Sequence, residues 1–171
     1  KEFGQIITDL PFKISPVKIL SLEIERMPKN PHYEFGQLSE YPFRSVCTIG
    51  THDMATMRGW WKEDSQVTAR YYYNVLGRGG DVPAEALGWI CEEIVRRHLE
   101  SPSLLCILAL QDWLAIDEQL RLPDADAERI NVPANAQHYW RYRMHISLES
   151  LMKQAAFNSR ITQLVEQSGR A

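Results

Sequence analysis

The chain has 171 residues, 44% of them hydrophobic, which is enough apolar material for the core of one ordinary domain. Its formal net charge is -3, from 19 basic and 22 acidic residues, and neither sign forms a long block. This balance argues against a nucleic-acid-binding surface and favours an uncharged ligand. The longest apolar run, 104–110, is far shorter than the roughly 20 residues of a membrane span, so we expect no membrane segment.

The three cysteines, Cys47, Cys91 and Cys106, stand singly in apolar stretches. Such placement is typical of reduced structural thiols, and it predicts a cytoplasmic protein. The visible start at Lys1 is not followed by a charged and then apolar leader, so we expect no secretion signal there. Because the histidines and cysteines lack metal-ligand spacing and no glycine-rich loop opens a helix after a strand, we expect neither a metal nor an organic cofactor.

Short apolar runs predict three strands of a parallel sheet, at residues 17–24, 46–50 and 104–110. A polar cluster follows each run: Glu25-Arg26, Thr51-His52-Asp53 and Gln111-Asp112. In parallel α/β folds, and above all in (β/α) barrels, functional side chains gather at the carboxyl ends of the strands. These clusters are therefore the first candidates for a site.

The apolar spacing of residues 84–99 predicts an amphipathic helix behind Pro83, a residue suited to a first helical turn. A weaker helix is predicted at 64–76, and residues 138–167 predict one broken helix or two. The predicted fold class is α/β. An open three-stranded parallel sheet would leave exposed edges, so we expect this sheet to depend on further strands.

The sharpest local feature is the pair His52 and Asp53 after the second predicted strand. A carboxylate beside an imidazole can contact sugar hydroxyls and stabilise positive charge at an anomeric carbon. About equally, Asp53 could cap the next helix while His52 bonds to the backbone. Gln111 and Asp112 could likewise contact a ligand or orient a catalytic side chain, although loop anchoring is somewhat favoured.

Aromatic rings stack on the flat apolar faces of sugars. Helical spacing assigns Trp61 and Trp89 to the core and leaves Trp60, Trp113 and Trp140 open as platforms. Asn131 lies in a turn, from which it could reach a ligand, although turn chemistry alone accounts for it about as well.

Five segments together resemble one known family, the 4-alpha-glucanotransferases of glycoside hydrolase family 77. They are ILSLEIERMPKNP (19–31), TIGTHDMATMRGWW (48–61), LALQDWLAID (108–117), RINVPAN (129–135) and HYWRYRMHISLESL (138–151). They occur in the family's order and span most of the chain. The resemblance implies that residues 1–171 form the C-terminal portion, about the last three β/α units, of a TIM (β/α)8 barrel.

The family's retaining mechanism uses an Asp nucleophile, a Glu acid/base and a second Asp that stabilises the transition state. The resemblance implies this third role for Asp53 and a hydrogen bond from His52 to the sugar. It places Gln111, Asp112 and Asn131 in the surrounding substrate-binding shell. Trp60 and Trp113 are candidates for acceptor binding by residue type and placement.

The chain departs from the family at its start. The nucleophile motif, which belongs to an earlier strand, is absent, and the acid/base motif Glu-Asp-Leu-Gly aligns with Lys1-Glu2-Phe3-Gly4. Lys1 thus replaces the Glu, and Glu2 could serve only after a shift of one residue. A retaining glycosidase needs two carboxyl groups about 5 Å apart, so we expect this chain alone to be inactive.

The implied partners are maltooligosaccharides and starch- or glycogen-type alpha-glucans as donors, with glucose or a short oligosaccharide as acceptor. No nucleic acid and no membrane is expected among the partners. Two alternatives remain open: a noncatalytic carbohydrate-binding module, and an alpha-glucan hydrolase that uses water as acceptor.

Overall fold

A computed structural model gives the fold, and it describes residues 33–140 and 142–170 together with the backbone of residues 18–21. The described strands are β1 (Lys18–Ser21), β2 (Ser45–Thr48) and β3 (Leu105–Cys106). They form one parallel sheet in the order β1-β2-β3, with Ile19 opposite Val46 and Cys47 opposite Cys106. The prediction of a parallel α/β arrangement is therefore confirmed.

The strand boundaries differ from the predicted ones. Residues 17 and 22–24 of the first predicted strand, with the Glu25-Arg26 cluster, lie outside the described residues. The prediction that 104–110 is one strand was wrong, because only Leu105–Cys106 pairs with β2 and a helix begins at Leu110. Leu104, Leu105 and Ile107 are 49–59% exposed, so this apolar run forms an open edge of the described sheet rather than a strand buried on both faces.

Helices connect and follow the strands in the part of the chain that the structure describes. They are α1 (Met57–Glu63), α2 (Ser65–Asn74), α3 (Gly88–Leu99), α4 (Leu110–Ala115), α5 (Leu148–Met152) and α6 (Ala155–Gln167), with 3-10 turns at Leu38–Glu40 and Asp126–Glu128. Asp64 caps α2, since its carboxylate accepts hydrogen bonds from the amides of Gln66 and Val67.

Helix α3 begins at Gly88, four residues later than predicted. The preceding segment is held as a loop, because the Pro83 carbonyl accepts a 2.9 Å hydrogen bond from the indole of Trp61 and the Ala86 carbonyl accepts one of 2.8 Å from Arg121. A proline in the first turn was therefore the wrong interpretation. The predicted apolar face is confirmed, since Ile90, Cys91, Ile94 and Val95 are all fully buried.

The C-terminal region contains two helices, α5 and α6, but residues 138–147, which were predicted to be part of the same helical segment, are not helical where described. The ring of His138 bonds to the Ile130 carbonyl at 3.0 Å, and that of His145 bonds to the Leu120 carbonyl at 2.6 Å. These contacts hold the segment against residues 120–130, which directly precede Asn131.

The core lies under the carboxyl end of β2. Ile49 follows β2 directly and is buried with Met57 and Trp61 of α1, Ile90 of α3 and Leu114 of α4. Dense packing of this kind fixes the elements from which the loops at the strand ends project. None of the described helices has the length and apolar character required to cross a bilayer.

Candidate functional site

The loop between β2 and α1 carries the most prominent polar residues of the sequence. It turns tightly, with the amide of Met54 donating to the Thr51 carbonyl at 3.1 Å. Helix α1 is capped by Thr56, whose hydroxyl accepts a hydrogen bond from the amide of Gly59. Asp53 does not cap this helix, so the alternative interpretation of that residue was wrong.

Asp53 lies in a cluster of three polar side chains. The amide group of Asn131 donates a 2.6 Å hydrogen bond to Asp53 Oδ1, and His52 Nε2 lies 3.3 Å from Asp53 Oδ2. The side chains of His52 and Asp53 are 48% and 51% exposed. The structure thus brings together three residues predicted for the site, and each carboxylate oxygen of Asp53 has a neighbouring polar group.

Of the three tryptophans that the sequence leaves as candidates for stacking on a sugar, Trp140 lies beside this cluster. Its ring centroid is 4.6 Å from that of His52, with an angle of 45° between the planes. Trp140 is 60% exposed. An exposed indole next to a carboxylate and an imidazole combines an apolar face with hydrogen-bonding groups, which is the combination that a pyranose ring requires.

A small cavity of about 80 Å³ lies behind the β2–α1 loop. Its polar lining residues are Thr51, His52, Thr56, Gln111, Asp112, Glu128 and Arg129. Asp53 and Asn131 are not on its wall, so the carboxylate faces another part of the surface. The cavity has room for a few water molecules and is too small for a sugar chain.

Asp112 lies beside the first turns of two helices. The residue is buried, and its carboxyl group is close enough to the backbone amides of Met57, the first residue of α1, and Ala109, the residue before α4, for both amides to lower its pKa. Burial is the main reason that the pKa of Asp112 is raised to about 7. Asp112 is therefore next to the start of α1, where the loop that carries His52 and Asp53 ends.

Gln111 is also buried, in the first turn of α4 rather than at the end of a strand. Its side-chain amide donates a 3.2 Å hydrogen bond to the carbonyl of Glu128. Of the two interpretations given for Gln111 and Asp112, these contacts favour loop anchoring over direct contact with a ligand.

A buried ion pair between Arg58 and Glu128 supports the same loop. The two side chains are 4% and 3% exposed and hydrogen-bonded to each other, and the hydroxyl of Thr56 donates to the second carboxylate oxygen at 3.1 Å. Arg58 also donates to the carbonyls of Leu122 and Pro123. Burial raises the pKa of Glu128, and Arg58 opposes that shift. The sequence offered no signal for this pair, because 70 residues separate its members.

The remaining tryptophans lie away from the cluster. Trp60 packs edge-on against Trp61 and Tyr71, and Trp113 is half-buried against the core. Neither lines the cavity. The assignment of Trp61 to the core is confirmed by its 2% exposure, whereas that of Trp89 was wrong, because Trp89 is 39% exposed.

Within residues 33–140 and 142–170, no three histidine, cysteine or acidic side chains are grouped as a metal site requires. Cys47, Cys91 and Cys106 all lie in the described part of the chain, and no disulfide joins any two of them. The chemistry available at the described site is therefore that of carboxylate, imidazole, amide and indole groups.

Known proteins resemble this chain over most of its length. The family model described as 4-alpha-glucanotransferase, glycoside hydrolase 77, matches residues 2–149. The 4-alpha-glucanotransferase DPE2 of Oryza sativa subsp. japonica is 36% identical over 98% of this chain and 18% of its own length. A 4-alpha-glucanotransferase of Chlamydia trachomatis serovar D is 26% identical over 93% of this chain and 30% of its own.

A solved structure shows the same arrangement of elements. The amylomaltase from Streptococcus agalactiae in complex with acarbose matches with a TM-score of 0.56 and 21% identity, over 77% of this chain and 23% of that one. The chain thus spans less than a third of the length of each of these proteins. The family model covers most of the sequence, including His52, Asp53, Gln111, Asp112 and Asn131, and this chain belongs to glycoside hydrolase family 77, the family of the 4-alpha-glucanotransferases.

Proposed function

We propose that this chain is the C-terminal part of the catalytic domain of a 4-alpha-glucanotransferase, built as the last three β/α units of a (β/α)8 barrel. The observation that carries the proposal is the cluster of Asp53, His52 and Asn131 at the carboxyl end of β2. In a barrel of this kind, chemistry takes place at that end of the strands. Membership of the family supplies the reaction class.

Asp53 stabilises the positive charge that develops at the anomeric carbon when the glycosidic bond breaks. A carboxylate does this best when its orientation is fixed before the reaction begins. The hydrogen bond from Asn131 holds one of its oxygens at 2.6 Å. Because Thr56 caps α1, the carboxylate of Asp53 is not required for the helix.

His52 and Trp140 bind the sugar beside Asp53. The imidazole offers a hydrogen bond to a hydroxyl, and the exposed indole offers an apolar surface to the pyranose ring. Gln111 and Asp112 keep the loop in place from beneath. Trp60 and Trp113 remain candidates for acceptor binding further from the cluster, although both pack against the core.

The complete reaction also needs a nucleophile and an acid/base, and we infer that other parts of the natural protein provide them. The alpha-1,4 bond of the donor breaks while the nucleophile bonds to the anomeric carbon and the acid protonates the leaving oxygen. An acceptor hydroxyl then gives its proton to the same base and takes the glycosyl group, with retention of configuration. Lys1 and Glu2, where the acid/base would align, lie outside the described residues.

The proposed donors are maltooligosaccharides and starch- or glycogen-type alpha-glucans, and the proposed acceptors are glucose and short oligosaccharides. The acarbose complex of the Streptococcus agalactiae amylomaltase supports binding of an oligosaccharide mimic by a protein of this fold. A cytoplasmic location is part of the proposal, and it is supported by three cysteines that form no disulfide with one another.

The experiment is incubation of maltotriose with the intact natural protein and, separately, with this 171-residue chain, followed by separation of the products by length. We expect longer maltooligosaccharides and glucose from the intact protein and none from the chain alone. Shorter products without longer ones would favour the hydrolase. No turnover of maltotriose by either protein would favour the noncatalytic module.

A further inference from the structure

Trp89, predicted to be buried, is instead an ordered surface aromatic. It is the second residue of α3 and 39% exposed. The guanidinium of Arg78 lies 5.2 Å above its ring, and the ring of Tyr72 meets it at 6.2 Å and 63°. These two contacts fix the indole, so little conformational freedom is left to lose when a ligand binds.

A second cavity, of about 390 Å³, opens beside this ring, and we call it the Trp89 cavity. It lies between the start of α3 and the chain beyond α4, with Asp117, Glu118, Gln119 and Arg160 on its wall. The two segments approach closely because residue 88 is glycine: a Cβ there would lie 2.8 Å from the Ile116 carbonyl. The Trp89 cavity is a depression that is largely open to solvent rather than an enclosed cavity.

The polar groups of the Trp89 cavity are held in place by the protein. Glu118 accepts a 2.7 Å hydrogen bond from the amide of Gly88, and Asp117 accepts one of 2.9 Å from the amide of Gln119. Arg160 is paired with Glu92. A carboxylate has about four acceptor positions, so Asp117 and Glu118 each retain capacity for hydroxyl donors.

This set of groups suits a neutral polyhydroxylated ring. An indole provides the apolar surface, the carboxylates accept hydrogen bonds from hydroxyls, and the amide of Gln119 can donate or accept. Asp117 and Glu118 are acidic and Arg160 is basic, so the lining does not select for a charged ligand of either sign.

The Trp89 cavity lies at the same end of the strands as Asp53. Leu99, the last residue of α3, is followed after a short loop by the start of β3, so α3 runs back towards the amino ends of the strands. Its first residue, Gly88, contacts Ile116 just beyond α4, and α4 follows the carboxyl end of β3. A long glucan held at Trp89 would therefore be retained near the face that carries the candidate site.

We propose that the Trp89 cavity is a noncatalytic binding site for an alpha-glucan chain, one glucose unit of which stacks on Trp89 while its hydroxyls bond to Asp117, Glu118 and Gln119. The proposal rests on the proposed function, because that function supplies the alpha-glucan. A second attachment point keeps a polymeric donor at high effective concentration near the reaction centre. It has no effect on maltotriose bound at the catalytic centre alone.

The test uses the intact natural protein with Trp89→Ala, Gln119→Ala and, as a control, Tyr33→Ala, a ring of matched exposure (38%) that is not on the wall of the Trp89 cavity. Affinity electrophoresis in gels with and without glycogen gives the apparent Kd. We expect binding to weaken at least about tenfold with Trp89→Ala and to a smaller extent with Gln119→Ala. Tyr33→Ala should bind glycogen as the parent does, and all three variants should retain maltotriose turnover.

Glycogen binding that is unchanged in Trp89→Ala, or absent in the parent, would overturn the proposal. If Trp89→Ala lowers the thermal midpoint, the glycogen Kd of Gln119→Ala becomes the test of the proposal, because this substitution removes only a hydrogen-bonding group. The two proposals fail separately. A parent that binds glycogen through Trp89 but leaves maltotriose unchanged would overturn the transferase assignment alone, whereas normal transfer with unaltered glycogen binding would overturn the Trp89 cavity alone.

Discussion

Asn131 donates a 2.6 Å hydrogen bond to the carboxylate of Asp53, from a position 78 residues further along the chain. The bond joins the loop after β2 to the loop after the 3-10 turn Asp126–Glu128. The second loop is also held by His138, whose ring bonds to the carbonyl of Ile130, the residue before Asn131, at 3.0 Å. The orientation of Asp53 therefore depends on a loop that is itself anchored by His138.

Asn131→Ala should lower kcat for transfer by roughly 10- to 100-fold in the intact protein, because the carboxylate loses the group that orients it. Asn131→Asp should be worse, since it places a second negative charge within hydrogen-bond distance of Asp53. Steady-state kinetics with maltotriose would measure both. A kcat equal to that of the parent in Asn131→Ala would show that this bond does not position Asp53.

The ion pair between Arg58 and Glu128 should be a main determinant of stability beneath the site. Arg58→Met leaves a buried carboxylate without its partner, which costs about 3–5 kcal/mol. The double variant Arg58→Met with Glu128→Leu should recover part of that loss, because no buried charge remains unpaired. Urea denaturation would measure the midpoints, and an unchanged midpoint in Arg58→Met would contradict the assignment.

Truncation of Trp61 and of Trp89 should destabilise the protein to very different extents. Trp61→Ala removes a ring that is 2% exposed and bonded to the Pro83 carbonyl, so it should lower the free energy of unfolding by about 3–5 kcal/mol. Trp89→Ala removes a ring that is 39% exposed and should cost much less. Thermal melting of both variants would test this contrast, which equal losses would contradict.

Asp112 should make stability depend on pH. Burial raises its pKa from the ordinary 3.8 to about 7, so between about pH 4 and pH 7 the folded state retains a proton that the unfolded state releases. The free energy of unfolding should therefore fall as pH rises through this range. The raised pKa of Glu128, which is paired with Arg58, acts in the same direction.

Asp112→Asn should flatten this dependence without abolishing it, because Glu128 still titrates. Urea midpoints at both ends of the range, for the parent, Asp112→Asn and the exposed control Asp126→Asn, would measure the slopes. Asp126→Asn should keep the slope of the parent. An equal slope in Asp112→Asn would mean that Asp112 does not hold the proton.

The sequence predicted the features that depend on local pattern. Apolar runs located the described strands, and the three- and four-residue spacing of Ile90, Cys91 and Ile94 identified the buried face of α3. The start of that helix was misplaced because tertiary hydrogen bonds to Pro83 and Ala86 override the helix-start preference of proline. A helix boundary that depends on residues distant in sequence cannot be predicted from the neighbouring residues alone.

The site was predicted only in part, because some of its contacts join residues that are distant in sequence. His52 and Asp53 are neighbours in sequence, and Asn131 was named from its place in a turn, to which the resemblance to the family added a place in the substrate-binding shell. The pair of Arg58 and Glu128 was missed because neither residue differs in sequence context from a solvated surface charge. Trp89 was misassigned because helical spacing cannot distinguish a buried position from the edge of the apolar face.

The central claim is that Asp53 stabilises the transition state of glucan transfer. The most direct measurement compares the intact protein with its Asp53→Asn variant by maltotriose kinetics and thermal melting. The account predicts that kcat falls by orders of magnitude while the thermal midpoint stays close to that of the parent, because the half-exposed charge is needed mainly in the transition state. Unchanged turnover in Asp53→Asn would contradict it.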